Sequence, residues 1–266
     1  MLDSILLGLL QGVSEFLPIS SSGHLALAGI LFGVQDAGLT LNVLLHVGTL
    51  VATAIVLRRR LAAALVNGCR ALVQPRLFVT DPGGQDAFFV VLASIPTAFI
   101  GLALRNAVAD WTRSPLVVGL GFLVTAILLI STRFARSGEI EHPSYQLAMI
   151  LGVVQGIAVV PGISRSGSTI AIALFLGIQR GRAFELSMLM SVPAVLGAAL
   201  LELPGALGSL ENLDAGLVGA VVACVSGVGA MLILRRMVVS GSFAWFALWM
   251  GPLAIATLAM ARAWPG

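Results

Sequence analysis

Two short polar segments in an otherwise apolar sequence carry the side chains that could do chemistry. Residues 11–24 read QGVSEFLPISSSGH, and residues 155–169 read QGIAVVPGISRSGST. The second segment holds Arg165, flanked by serines and glycines, between apolar runs that are each too short to cross a bilayer alone. Ionisable residues in such surroundings are energetically costly and usually functional. We therefore predict that this segment is a polar loop at membrane depth and part of a functional site.

The second segment has the composition of an anion-binding loop. Its glycines allow tight turns, its serines offer hydroxyls, and a helix predicted to begin near Ser168 would present free backbone N–H groups to a phosphate. Arg165 adds a planar fork of donors that matches phosphate oxygens and keeps its charge. The alternative is a helix cap with a snorkelling arginine. The residues of both segments that we predict to bind phosphate are Ser20, Ser22, Gly162, Ser164, Ser166, Gly167 and Thr169.

The first segment supplies the parts of a nucleophile and base pair. Ser21 and His24 are three residues apart, so they share a face if a helix begins at the serines. Each serine taken singly could equally be a helix N-cap. Glu15 is a lone acid in an apolar run, and Arg165 is its natural partner. We predict that Glu15, Ser21, His24 and Arg165 are catalytic; the nucleophile could be Ser21, His24 or an activated water.

The composition is that of a membrane protein. Of the 266 residues, 58% are hydrophobic and only 10% are charged, whereas about a quarter are charged in a soluble domain. The formal net charge is +3, but the basic residues are all arginines at the ends of apolar runs, which indicates topology rather than nucleic-acid binding. Two cysteines, Cys69 and Cys224, support neither a disulfide framework nor a thiolate metal site.

The apolar runs predict an all-α integral membrane protein built as an inverted-topology repeat. Each half is a re-entrant helical hairpin followed by three transmembrane helices, and three spans per half reverse the direction of the second half. Gln11 and Ser20 fall on Gln155 and Ser164 at an offset of 144 residues. The single transmembrane domain divides into repeats 1–140 and 141–266. The predicted elements are hairpins at 2–32 and 145–177 and spans at 40–57, 86–105, 115–132, 183–202, 215–234 and 243–262.

The distribution of arginines predicts the orientation. If the span at 40–57 runs from outside to inside, the loop at 58–86 is cytoplasmic and the arginine-free loop at 203–214 is external. The first hairpin then opens outward, the second opens inward, and their tips meet near the midplane. His46 and Glu185 could line the resulting cavity or make interior contacts, and His142 is predicted to be solvated.

At these residues the sequence resembles the bacterial undecaprenyl-diphosphatase family, also called the bacitracin-resistance protein family, over nearly its whole length. The resemblance implies a multi-pass enzyme of the inner (plasma) membrane, with its active site reached from the periplasmic or outer side. It implies hydrolysis of a polyprenyl diphosphate lipid, undecaprenyl diphosphate, to undecaprenyl phosphate and phosphate. That reaction recycles the lipid carrier for peptidoglycan synthesis and confers bacitracin resistance. A secondary transporter or lipid flippase is the alternative, and a homodimer stays open.

The resemblance also implies a divalent cation, magnesium or calcium. The acidic pair of the family falls on Gln11 and Glu15, its serine and histidine on Ser21 and His24, and its arginine on Arg165. Gln11 stands where many relatives carry a glutamate, so Glu15 is the single predicted metal ligand in this motif.

Overall fold

The structure, a computed structural model, describes residues 1–32, 39–136, 138–206 and 213–263. Within these ranges the chain forms helices and contains no strand. The all-α class is therefore confirmed. The helices are α1 (Leu2–Phe16), α2 (Ser21–Phe32), α3 (Leu39–Val56), α4 (Arg58–Val73), α5 (Leu77–Thr80), α6 (Pro82–Trp111), α7 (Pro115–Ser131), α8 (Tyr145–Ile157), α9 (Arg165–Phe175), α10 (Arg180–Ala206), α11 (Leu213–Ser240) and α12 (Ala247–Ala263).

Five of the described helices are long and apolar enough to cross a membrane: α6, α7, α10, α11 and α12 with the 3-10 turn before it. A sixth span results if α3 and α4 are counted together, although they meet at 90°. Large apolar side chains such as Phe99, Val225 and Ile255 are mostly exposed on these helices. Water would not solvate such a surface, whereas a bilayer does. The protein is therefore an integral membrane protein that crosses the bilayer several times.

Each of the two segments predicted as a hairpin consists of two short helices with a break between them. The first pair, α1 and α2, breaks at residues 17–20, and the second, α8 and α9, breaks at 158–164. Pro18 stands in the first break, where its ring and missing N–H oppose a continuous helix. Ser20 adopts a left-handed backbone with φ of 64°, and Gly162 has φ of 91°. These sharp turns end one helix and begin the next within a few residues.

Close packing joins the first helix of each pair to a long helix of the bundle. Helix α1 packs against α11, and α8 packs against α6. A Cβ atom at Gly8 would overlap the carbonyl of Gly219, and one at Gly152 would overlap the carbonyl of Ala93. Small residues at these positions let the backbones approach, as is typical of helix contacts in membranes. Gly8 and Gly152 are separated by 144 residues, which is the offset of the two polar segments.

The segment that was predicted as a loop at 58–86 instead contains two helices. Helix α4 begins directly after the end of α3 and runs perpendicular to it. Ala64 and Ala71 are buried on one side of α4, while Leu65 and Leu72 are exposed on another. The arginines at its start indicated the end of a span, but arginine is also a good helix former, so the chain turns and continues helical.

Candidate functional site

The two breaks meet, and serines cap the helices that follow them. The hydroxyl oxygen of Ser20 accepts a hydrogen bond from the N–H of Gly23 at 3.3 Å, and that of Ser164 accepts from Gly167 at 3.1 Å. An added Cβ at Gly23 would fall 2.8 Å from the Cα atom of Gly162. Ser20 and Ser164 are thus N-caps of α2 and α9, the alternative considered for single serines. The two helix N-termini lie side by side.

Helix α9 begins at Arg165, three residues before the predicted start near Ser168. The N–H of Ser168 donates to the carbonyl of Ser164 at 2.9 Å, so it is not free for a ligand. The side chain of Thr125 on α7 fixes the turn by donating to the carbonyl of Gly162 and accepting from the N–H of Ser164, each at 2.9 Å. The earlier start occurs because Ser164 caps the helix, and it places Arg165 itself in the first helical turn.

Arg165 and Glu15 form an ion pair between the two breaks. Nη2 of Arg165 donates to Oε1 of Glu15, and the two side chains are only 15% and 10% exposed. This is the partner predicted for Glu15. Nη1 of Arg165 is buried and has no hydrogen-bond partner among the described residues. A buried charged donor without a partner is costly. One terminal nitrogen of the guanidinium is therefore paired with Glu15, and the other lacks an acceptor among the described residues.

The second carboxylate oxygen of Glu15 accepts hydrogen bonds from two neutral donors. Oε2 accepts from the side-chain amide of Gln11 and from the hydroxyl of Ser21, each at 3.2 Å. The same amide nitrogen of Gln11 lies 3.3 Å from Nδ1 of His46. His46 was predicted to be either a cavity or an interior residue, and the structure connects it to the site through Gln11. Glu15 is the central acceptor of this network.

His24 lies in α2, but its hydrogen bonds lead away from Ser21. Its Nδ1 is 2.9 Å from the carbonyl oxygen of Ser20, and its Nε2 accepts from the indole of Trp249 at 3.1 Å. The predicted serine and histidine pair is therefore replaced by two separate contacts, Ser21 with Glu15 and His24 with Trp249. Trp249, on α12, carried no signal in the sequence, because it belongs to neither polar segment.

The other predicted phosphate-binding residues are placed as follows. Ser22 is exposed and Ser166 is buried, and their hydroxyls lie 3.4 and 3.3 Å from those of the capping serines. The hydroxyl of Thr169 bonds to the carbonyl of Arg165 at 2.8 Å and lies 2.6 Å from the hydroxyl of Ser187. Both bonds tie α9 to itself and to α10. Ser22 has the most open hydroxyl of this set.

A second charged cluster, which the sequence did not indicate, joins three distant parts of the chain. Arg182 pairs with the buried carboxylate of Asp86 and lies 3.4 Å from Glu185, and Arg60 lies 3.2 Å from Glu185. A cavity of about 170 Å³ borders Asp86 and Arg182, with the exposed His142 at its edge. All four charges are paired within the cluster. Glu185 therefore makes interior contacts, one of the two alternatives stated for it.

The ability of this site to bind a divalent cation depends on the carboxylate of Glu15. Among the described residues no group of three or more His, Cys, Asp or Glu side chains is arranged to hold a metal ion. Magnesium is nevertheless often held by one or two carboxylates together with substrate phosphates. One carboxylate, Glu15, lies beside the unused donor of Arg165. The residues present therefore fit a cation only when the ligand supplies further oxygens.

These features define a multi-pass α-helical membrane protein with a buried arginine and carboxylate pair where two helix breaks meet. A family profile described as "Bacitracin resistance protein BacA" matches residues 4–256. The chain therefore belongs to this family.

The chain is also similar to curated proteins named undecaprenyl-diphosphatase. The relative from Desulfatibacillum aliphaticivorans is 39% identical, over 92% of this chain and 93% of the relative. The relative from Desulfosudis oleivorans is 41% identical over the same shares. That from Methanosphaera stadtmanae is 36% identical, over 97% of this chain and 96% of its own length. The family predicted from the two polar segments is confirmed.

Proposed function

We propose that this protein is a membrane hydrolase that converts undecaprenyl diphosphate to undecaprenyl phosphate and phosphate. The observation that carries the proposal is the buried Nη1 of Arg165, which has no hydrogen-bond partner in the described part of the chain. A terminal phosphate would supply the missing acceptor, and arginine binds phosphate in a bidentate way. The names of the relatives and the family match support this substrate.

The chemistry assigned to this site is phosphoryl transfer. A nucleophile attacks the terminal phosphorus, the bond from that phosphorus to the bridging oxygen breaks, and the bridging oxygen leaves with undecaprenyl phosphate. Such reactions depend mainly on positioning and on stabilising charge that spreads over the phosphoryl oxygens. Arg165 and the N-terminus of α9 would stabilise that charge. The hydroxyl of Ser22 would add a hydrogen bond.

Three nucleophiles are compatible with this arrangement: Ser21, His24 and water. The hydroxyl of Ser21 lies 3.2 Å from Glu15, within reach of a carboxylate that can accept its proton. With Ser21 or His24 as nucleophile, water must then release phosphate from a covalent intermediate. With water as nucleophile, Glu15 or His24 would take its proton in a single displacement.

Glu15 would hold a divalent cation jointly with the diphosphate. Such a cation neutralises charge on the phosphoryl oxygens that develops during the transfer. When the substrate binds, its phosphate would take over the Arg165 fork and leave a Glu15 oxygen free. The protein ligand would be this one carboxylate, because Gln11 supplies an amide instead of a second one.

The orientation that we propose places the site within reach of the outer side, and it assumes an inverted repeat whose first hairpin opens outward. The pairing of helices supports such a repeat. In it, α8 corresponds to α1 and α6 corresponds to α11, so the contact of α1 with α11 is matched by the contact of α8 with α6. The lipid carrier would be recycled from the outer leaflet for peptidoglycan synthesis, and the loss of its diphosphate form would give bacitracin resistance. Glu15, Ser21, His24 and Arg165 all come from one chain, so a homodimer is not needed to bring this set together.

The experiment that tests this function measures phosphate release by the purified protein in detergent, with undecaprenyl diphosphate as substrate. We expect hydrolysis without any partner or ion gradient, and we expect a chelator to reduce it. Binding of the lipid diphosphate without phosphate release, in the presence of magnesium or calcium, would contradict the proposal. That result would instead support a transporter or lipid flippase.

A further inference from the structure

Both ring nitrogens of His24 are hydrogen-bonded, and the chemistry of the two partners determines where the ring proton is. The partner of Nδ1 is the carbonyl oxygen of Ser20, at 2.9 Å, which can only accept a hydrogen bond. The partner of Nε2 is the indole N–H of Trp249, at 3.1 Å, which can only donate one. Nδ1 must therefore carry the hydrogen, and Nε2 must accept with its lone pair.

Three helices fix this ring. His24 belongs to α2. The ring of Phe122 on α7 meets the imidazole edge-on, with 5.5 Å between the ring centroids. The ring of Trp249 on α12 is nearly parallel to the imidazole, with an angle of 8° between the two ring planes. Helix α7 carries no charged residue, and α12 carries only Arg262, in its last turn. Beside the two helix breaks, the charged side chains are Glu15 and Arg165, which pair with each other. Within the described residues, His24 has no charged hydrogen-bond partner.

We propose that Trp249 is a positioning residue that covers Nε2 of His24 in the resting protein, and that the lipid diphosphate must displace the indole before His24 can react. The inference rests on the hydrolase function proposed above and adds a residue to that site. Either role open to His24, base or nucleophile, requires a free lone pair. The lone pair on Nε2 is the only one available, because Nδ1 is protonated and held by Ser20.

The position of Trp249 suits such a cover. Its side chain is 58% exposed on a membrane-spanning helix, so a lipid substrate can reach the indole from the side. Besides the ring contact, one hydrogen bond holds it to His24, and a bond of this kind contributes little net free energy. The indole can therefore leave at low cost when a phosphate binds nearby.

Chemical modification tests the cover directly and without substrate. Diethyl pyrocarbonate reacts with unprotonated imidazole nitrogen, and the chain has three histidines. We expect His24 to react several-fold faster in Trp249→Phe than in the wild type, with the His24→Gln variant identifying its share of the signal. Trp245→Phe is the matched control, because Trp245 is 62% exposed and its indole has no hydrogen bond among the described residues. Equal reaction rates of His24 in the wild type and Trp249→Phe would overturn the proposal.

Two further measurements separate positioning from a merely structural role. Nitrogen-15 spectra of histidine-labelled protein should show the His24 proton on Nδ1, and the Nε2 signal should move towards that of a free imidazole nitrogen in Trp249→Phe. In the hydrolysis assay, Trp249→Phe should raise kcat/KM by about two- to tenfold, the factor that corresponds to one net hydrogen bond. A proton on Nε2 in the wild type, or a kcat/KM that falls while modification is unchanged, would contradict the inference.

These measurements distinguish failure of this inference from failure of the proposed function. The modification rates and the spectra are obtained without substrate, so they remain informative if the protein hydrolyses no diphosphate. If hydrolysis is found and Nε2 is uncovered in the wild type, the hydrolase function stands and the role of Trp249 is rejected.

Discussion

Arg165 is the residue in which charge, burial and an unused donor coincide. Its guanidinium is mostly buried, one nitrogen is paired with Glu15, and the other has no partner in the described part of the chain. The planar fork suits two phosphate oxygens at once, which the single ammonium of lysine does not. The exchange of Glu15 for phosphate at this fork is the event on which the proposed reaction depends.

Arg165→Lys should therefore lower the rate of phosphate release by about 100-fold, the cost of one stabilising donor in a transition state. Lysine keeps the charge that pairs with Glu15, so the fold should be retained. The matched control is Arg105→Lys, because Arg105 is exposed on α6 and should tolerate the change. Near-normal hydrolysis by Arg165→Lys would mean that Arg165 is only a structural counter-ion.

His24 and Ser21 are separated by their hydrogen bonds, so their alanine variants test different functions. His24→Ala should reduce the rate by about 100-fold or more, as expected when a general base or nucleophile is lost. Ser21→Ala should match it only if the hydroxyl is the nucleophile or holds the phosphate. Steady-state phosphate release measures both. A His24→Ala protein with unchanged turnover would remove His24 from the reaction.

Glu15→Gln tests the proposed metal ligand. If the carboxylate binds a cation jointly with the diphosphate, this variant should need more magnesium or calcium for half of its maximal rate. Gln11→Glu is the complementary variant, because a second carboxylate should lower that concentration. A lost rate with unchanged metal dependence in Glu15→Gln would leave Glu15 as the partner of Arg165 and Ser21 alone.

At the scale of the elements, capping determines where helices begin. Ser20 and Ser164 start α2 and α9, and Asp81 starts the long span α6 by accepting from the N–H of Gly84 at 3.0 Å. This backbone hydrogen bond holds the pKa of the Asp81 carboxyl below its usual value, and the side-chain amide of Asn67 acts in the same direction. The charged form of Asp81 is therefore the one that the folded protein favours.

Asp81→Ala should lower the melting temperature in detergent at pH 7. Because the pKa is lowered in the folded protein, the contribution of Asp81 is complete above its unfolded value of about 3.9 and is lost as the pH falls through the folded one. The difference in melting temperature between wild type and Asp81→Ala should therefore become smaller below about pH 4. Asp81→Asn keeps a capping oxygen and serves as the control. A difference that persists unchanged in acid would contradict this account.

At the scale of the whole molecule, the proposed inverted repeat predicts on which side of the membrane each loop lies. The loop that contains Gln74 should be cytoplasmic, and the loop that contains Asn212, outside the described residues, should be external. Single cysteines at these positions should react with an impermeant reagent from opposite sides of the membrane. Cys69 is exposed and must first be replaced, together with Cys224. Labelling of both positions from one side would contradict the inverted repeat.

The sequence by itself determined the membrane class, the helical fold, the family and the place of both helix breaks. It could do so because a bilayer offers the backbone no hydrogen bonds, so each span must satisfy its own and is visible in local hydropathy. The candidate site residues of the two polar segments were likewise predicted from their types and spacing. The pairing of Glu15 with Arg165 followed from the cost of a lone buried charge.

Only the tertiary structure decided which side chains meet the site from elsewhere in the chain. His24 contacts Trp249 across 225 positions, Ser21 turns to Glu15 instead of His24, and Asp86 pairs with Arg182 across 96. Hydropathy and motif spacing describe neighbours along the chain, whereas these contacts depend on how helices from both halves pack. The bend between α3 and α4 was missed for the same reason, since arginine is compatible with a helix and packing sets its direction.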